Sequence, residues 1–147
     1  MGQLKRAASP FRFHIPEDLI PELRSLRVRQ RDWSALIDAE DVVHLFYGLG
    51  PARFLAFDGR VLVDPSDWDE TDAYEVTDPK EAWSAIVVGA NVWSFPDLLR
   101  LLPARPPNAR DCPQCKGTGW VSWVDAVGKA GRVVCWDRCG GLGWECA

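Results

Sequence analysis

Apolar residues along this chain fall into a few periodic runs separated by polar punctuation, and each run predicts an element. Leu19, Ile20, Leu23, Leu26 and Val28 recur at helical spacing behind Ile15-Pro16-Glu17-Asp18, where proline and two acids favour a helix start. Arginines fill the late turns, and Pro21 falls early enough to be tolerated. The spacing predicts a helix over about 17–29. Residues 33–47 are apolar but broken by 38–41, so a helix plus a strand and two strands fit equally. Phe54–Phe57, Asp58-Gly59 and Arg60–Val63 form a hairpin pattern, with Asp-Gly expected to supply a type I′ turn.

The second half of the pattern begins at Asp78, an N-cap residue followed by Pro79. Trp83, Ile86, Val87 and Ala90 then keep helical spacing, ending at Gly89–Asn91. A strand across 85–88 competes, because that stretch is β-branched. Residues 95–102 read as one short helix. Pro103 to Ala109 holds three prolines and predicts a stiff extended linker. These elements give an α+β class: a mixed domain over 14–102 behind a basic arm (1–13), a linker (103–109) and a C-terminal module (110–147).

Charge is divided unevenly among these segments. Residues 1–31 carry seven basic and three acidic side chains, residues 32–99 three and fourteen, and residues 100–147 seven and four. The middle segment, at −11, repels a phosphate backbone, while both ends are weakly positive. No apolar run reaches the roughly 18–20 residues of a membrane span, and the N-terminus lacks the apolar core of a secretory signal. A cytoplasmic protein is expected. In that compartment five cysteines, four of them in two close pairs, point to metal rather than disulfides.

The pairs form an internal repeat. Cys112-Pro-Gln-Cys115-Lys-Gly117-Thr-Gly119-Trp120 matches Cys135-Trp-Asp-Arg-Cys139-Gly-Gly141-Leu-Gly143-Trp144, with one extra residue between the second pair of cysteines. Two such turns offer four thiolates in a tetrahedron, which suits one closed structural zinc site at Cys112, Cys115, Cys135 and Cys139, and a zinc-ribbon-like module is expected. Glycines beyond each cysteine free the backbone to aim N–H groups at sulfur. Cys146, next to the chain end, is left free. A redox dithiol and unliganded cysteines are the competing readings.

The Cys-x-x-Cys-x-Gly-x-Gly text resembles one repeat of the DnaJ-type cysteine-rich zinc finger, over residues 110–145 only. That finger normally has four repeats and two zincs; two repeats imply one. The resemblance implies a zinc fold and points toward protein or peptide binding, whereas a J-domain His-Pro-Asp motif is absent. For residues 14–102, the order helix, hairpin, acidic loop and closing helix resembles the SUKH superfamily, which includes immunity proteins that bind toxins. The glycine-rich turn expected there is missing.

Other chemistry is sparse. Asp67, Asp69 and Asp72 lack the glycine and glutamate of an EF-hand and read as a solvated loop. His44 sits in an apolar run and reads as a core histidine. No nucleophile signature or phosphate loop is present. The expectation is a non-enzymatic module that binds another protein or peptide. The alternative is a nucleic-acid binder, which needs Arg105, Arg110, Arg132 and Arg138 on one face with an exposed tryptophan. Trp120, Trp123, Trp136 and Trp144 are expected mainly to supply the small module's core.

Overall fold

The computed structural model describes residues 11–27, 42–46, 52–64 and 74–146. A 3₁₀ turn at Glu17–Leu19 leads into helix α1, Ile20–Arg27, with Pro21 in its first turn. Strands β1 (Val42–Phe46), β2 (Ala52–Ala56), β3 (Val61–Asp64) and β4 (Tyr74–Glu75) form an antiparallel sheet in sequential order. Both readings of 33–47 include a strand, and β1 supplies it. Residues 28–41 and the acidic loop, including Asp67, Asp69 and Asp72, lie outside the described residues.

Register explains how the sheet is buried. Val43 pairs with Leu55 and Leu55 with Val61, so these side chains share one face; His44, Phe54 and Leu62 share the other. The first face joins Leu19 and Leu23 of α1 in the main core. On the second face His44 is buried against the Phe54 ring, at a centroid distance of 5.2 Å, as expected for a core histidine. The hairpin turn differs from the expected two-residue type. Gly59 N–H donates to Ala56 O and Ala56 N–H to Arg60 O, and only Gly59 has positive φ. The connection is therefore a three-residue loop with a glycine bulge.

Phe11 and Phe13, read from the sequence as part of the arm, are docked on this sheet. Phe11 N–H donates to Val76 O and Phe13 N–H to Gly59 O, and Phe13 is buried. A buried ion pair closes the sheet's far edge: Arg60 on β3's leading end bonds Glu75 of β4, while its Nε bonds Asp58 at 2.8 Å.

Helix α2, Pro79–Val92, packs on the first face of the sheet. Asp78 caps it as expected, accepting from Lys80 N–H at 3.1 Å. The competing strand is not formed, and the helix runs through Gly89. A β-carbon there would meet Leu45 at 2.9 Å, so glycine lets β1 and α2 approach closely. Trp93 anchors the helix end by donating its indole N–H to His44 O at 2.8 Å. The short helix expected over 95–102 is a 3₁₀ helix, Pro96–Leu101.

Beyond the proline-rich stretch, two small antiparallel ladders build the C-terminal module. Strand β5 (Ala109–Asp111) pairs with β8 (Trp144–Cys146), and β6 (Trp120–Val124) pairs with β7 (Ala130–Val134). The module does not simply hang from its linker. A β-carbon on Gly140 would lie 3.0 Å from the Trp83 ring and 3.1 Å from Lys80 Cα, and one on Gly141 3.0 Å from Val87. The second cysteine turn is thus seated directly on α2.

Candidate metal centre

The two cysteine turns are related by a local pseudo-twofold that follows from the sequence repeat. Cys112 N–H donates to Gly143 O at 3.0 Å, and its counterpart Cys135 N–H donates to Gly119 O at 2.9 Å. Gly117 N–H reaches Cys112 O, as Gly141 N–H reaches Cys135 O. The ladders obey the same relation. Each turn is entered by a strand, β5 or β7, that pairs with the strand leaving the other turn, β8 or β6.

This wrapping brings the sulfurs of Cys112, Cys115, Cys135 and Cys139 within 4.8 Å of one another, all buried. Cys112 and Cys135 sulfurs are 3.9 Å apart, and those of Cys115 and Cys139 are 3.8 Å apart. A regular tetrahedron with metal–sulfur bonds of about 2.3 Å requires sulfur separations of about 3.8 Å. The cluster is therefore built to hold a metal ion. Cys146 is exposed on β8, outside the cluster.

Backbone donors complete the sulfur environment. Gly119 N–H points at Cys115 Sγ at 3.2 Å and Gly143 N–H at Cys139 Sγ at 3.3 Å. Such bonds stabilise negative charge on a coordinating thiolate. Both glycines have φ near +83°, and each lies against the other turn: β-carbons would meet Gly141 O at 2.6 Å and Gly117 O at 2.7 Å. Glycine is needed on both counts.

The thiols do not share one proton affinity. Burial pushes Cys135 up to about 12 and raises Cys139. At Cys112 burial acts in the same direction, but the backbone N–H groups of Cys115 and Gln114 and the neighbouring thiols outweigh it and lower the thiol. A metal entering this site must displace protons.

The extra residue in the second turn is absorbed by a wider loop, in which Trp136 N–H bonds Val134 O and Trp136 stands 62% exposed. Gln114 ties the turns together through Asp137 at 2.7 Å. The expectation of a tryptophan core is corrected here. The module's buried cluster consists of the four cysteines with Val121 packed against it, while Trp123 and Trp136 are exposed and Trp120 and Trp144 half-buried. The sulfurs themselves are the core.

The arginines nearby are engaged internally. Arg105 bonds Asp111 at 2.7 Å, and Arg110 and Arg138 both bond Glu145. Arg132 lies 4.3 Å over the Trp120 ring and donates to Asn91 Oδ1 at 3.1 Å. Sequence reasoning missed a groove of about 760 Å³ between α2 and β7, lined by residues that include Glu81, Ser84, Val88, Val133 and Trp136. Its walls are more than thirty residues apart in sequence, and no local pattern announces their meeting. Among the described residues, no helix is long and apolar enough to cross a membrane. No family model, curated protein or solved structure matches the chain.

Proposed function

We propose that this chain is a non-enzymatic protein-binding or adaptor module whose C-terminal part is held by one structural zinc ion on Cys112, Cys115, Cys135 and Cys139. The observation that carries the reading is the closed, buried four-sulfur cluster. Four protein thiolates fill a tetrahedral ion and leave no position for water or substrate, as in structural rather than catalytic zinc sites. All-sulfur tetrahedral coordination suits zinc or iron. Metal analysis of purified protein distinguishes them: one zinc per chain and no visible absorption band are expected, and two zincs, none, or an iron–thiolate band would overturn the assignment.

A module of this kind works by presenting surface. Trp123, Val124, Val127, Val133 and Trp136 are exposed on and beside the β6–β7 hairpin, and exposed aromatic side chains are common anchors of protein interfaces. Nucleic-acid binding finds less support. Three of the four arginines it requires are paired with carboxylates of the module itself, Arg110 and Arg138 sharing Glu145, and the fourth is stacked on Trp120. The resemblance to DnaJ-type fingers agrees with protein binding, and the SUKH resemblance would make the partner a toxin. Cross-linked co-purification from the native host, with mass spectrometry, identifies the partner. Salt-steep binding of single-stranded DNA or RNA at physiological salt would instead establish the nucleic-acid reading.

A further inference from the structure

The groove between α2 and β7 has the features of a site for an extended peptide. One wall is an open sheet edge: among the described residues β7 pairs only with β6. The Gly119–Cys135 and Asp125–Lys129 bonds fix which pairs in this ladder are hydrogen-bonded. Alternation then turns the N–H and C=O of Ala130 and Arg132 outward from β7, ready to pair with another strand. The opposite wall is the surface of α2 at Ser84, Ala85 and Val88.

Charge selects the occupant. At one end Asp78 and Glu81 line the groove, where Glu81 pairs with Arg53 at 3.6 Å. At the other end Arg132 contacts Asn91 and Trp120 and no carboxylate among the described residues. Between these ends the lining is mostly apolar. From Glu81 to Asn91 the helix rises about 15 Å. An extended chain covers about 13 Å between residues i and i+4, whose side chains share one face with i+2.

We infer that the groove binds an extended segment of a partner protein, added as a strand to the outer edge of β7. The segment carries a basic, an aliphatic and an acidic side chain at i, i+2 and i+4. The basic side chain meets Asp78 and Glu81, the aliphatic one packs on Ala85 and Val88, and the acidic one meets Arg132. This deepens the protein-binding reading and rests on it by naming the surface and the chemistry of the partner.

The test uses a fluorescein-labelled peptide, acetyl-Thr-Lys-Thr-Val-Thr-Glu-amide, and the zinc-loaded full chain, followed by anisotropy. Replacing lysine by glutamate in the peptide should weaken binding at least tenfold. So should Val88→Arg in the protein, which fills the apolar middle. Trp136→Ala, an exposed position whose loss leaves the metal site intact, should weaken binding several-fold with zinc content unchanged. Equal binding of the two peptides, or full binding by both protein variants, overturns the groove. A native partner that still co-purifies with Val88→Arg also removes the groove while leaving the adaptor reading in place. Peptide binding as described, with no partner cross-linked to the wild type in the native host, upholds the groove chemistry and removes the adaptor role.

Discussion

Individual residues around the cysteine cluster make claims that can be checked one at a time. Cys135 is the proposed ligand whose spacing departs from the repeat, and Cys146 is the thiol left over. The cluster contains the first and excludes the second. Cys135→Ser should therefore lose zinc, whereas Cys146→Ser should keep one zinc per chain by atomic absorption; the reverse pattern would refute the ligand set. Glu145 offers a second check. The bonds it accepts from Arg138, followed by those from Arg110, hold its carboxyl down to about 2. A carboxylate lowered in the folded state stabilises it above the ordinary value near 4.5 and loses that contribution as pH falls through about 2. An NMR titration of the Glu145 carboxyl should thus stay flat as far into acid as the metal remains bound; a midpoint near 4.5 with the metal still bound would mean that the fork is not formed in solution. The four-cysteine cluster was legible from spacing alone, because sulfur positions on a tight turn depend on two or three neighbours. The exposure of Trp123 and Trp136 was not, because it depends on which other groups fill a small core, and there the sulfurs do so.

At the scale of elements, α2 was readable in advance because Asp78 and Pro79 supply a cap and a preset first turn locally. The hairpin was readable in its strands but not in its turn, since Asp-Gly also serves a three-residue loop when the residue before it joins the connection. The Arg60–Glu75 pair spans fifteen positions and could not be read from either strand. The pseudo-twofold of the cysteine turns yields a prediction specific to its geometry. Gly119 and Gly143 occupy equivalent positions, with positive φ, a hydrogen bond to sulfur and a backbone carbonyl of the other turn against the missing side chain. Left-handed backbone costs a non-glycine residue about 1–2 kcal/mol, and the contacts under 3 Å add to that. Gly119→Ala and Gly143→Ala should each weaken zinc binding by about tenfold or more in a chelator competition, to a similar extent. An effect at one site only would show that the two turns are not equivalent in solution.

For the whole molecule, the question is how far the influence of the proposed zinc reaches. The main core, built from the sheet with α1 and α2, contains no residue of the cysteine module, whose own buried cluster is four sulfurs and little else. A structural zinc contributes about 10–16 kcal/mol of binding free energy in small peptides, far more than so small a core supplies. Removing it should therefore unfold the module and leave the sheet folded. The two parts nevertheless meet, because Gly140 and Gly141 rest on Lys80, Trp83 and Val87 of α2. The outward side of α2 should loosen with the module, and the groove should lose its β7 wall. Hydrogen exchange read by mass spectrometry before and after chelation resolves these levels. Amides of 109–146 should approach the rate of an unfolded chain, those around 80–91 should exchange moderately faster, and those of β2 and β3 should not change. Readding one equivalent of zinc should restore all three. Persistent protection of 109–146 in the metal-free protein would show that the module folds without its ion. Loss of protection in β2 and β3 would show that the chain folds as one cooperative unit rather than as a stable sheet domain carrying a metal-dependent module.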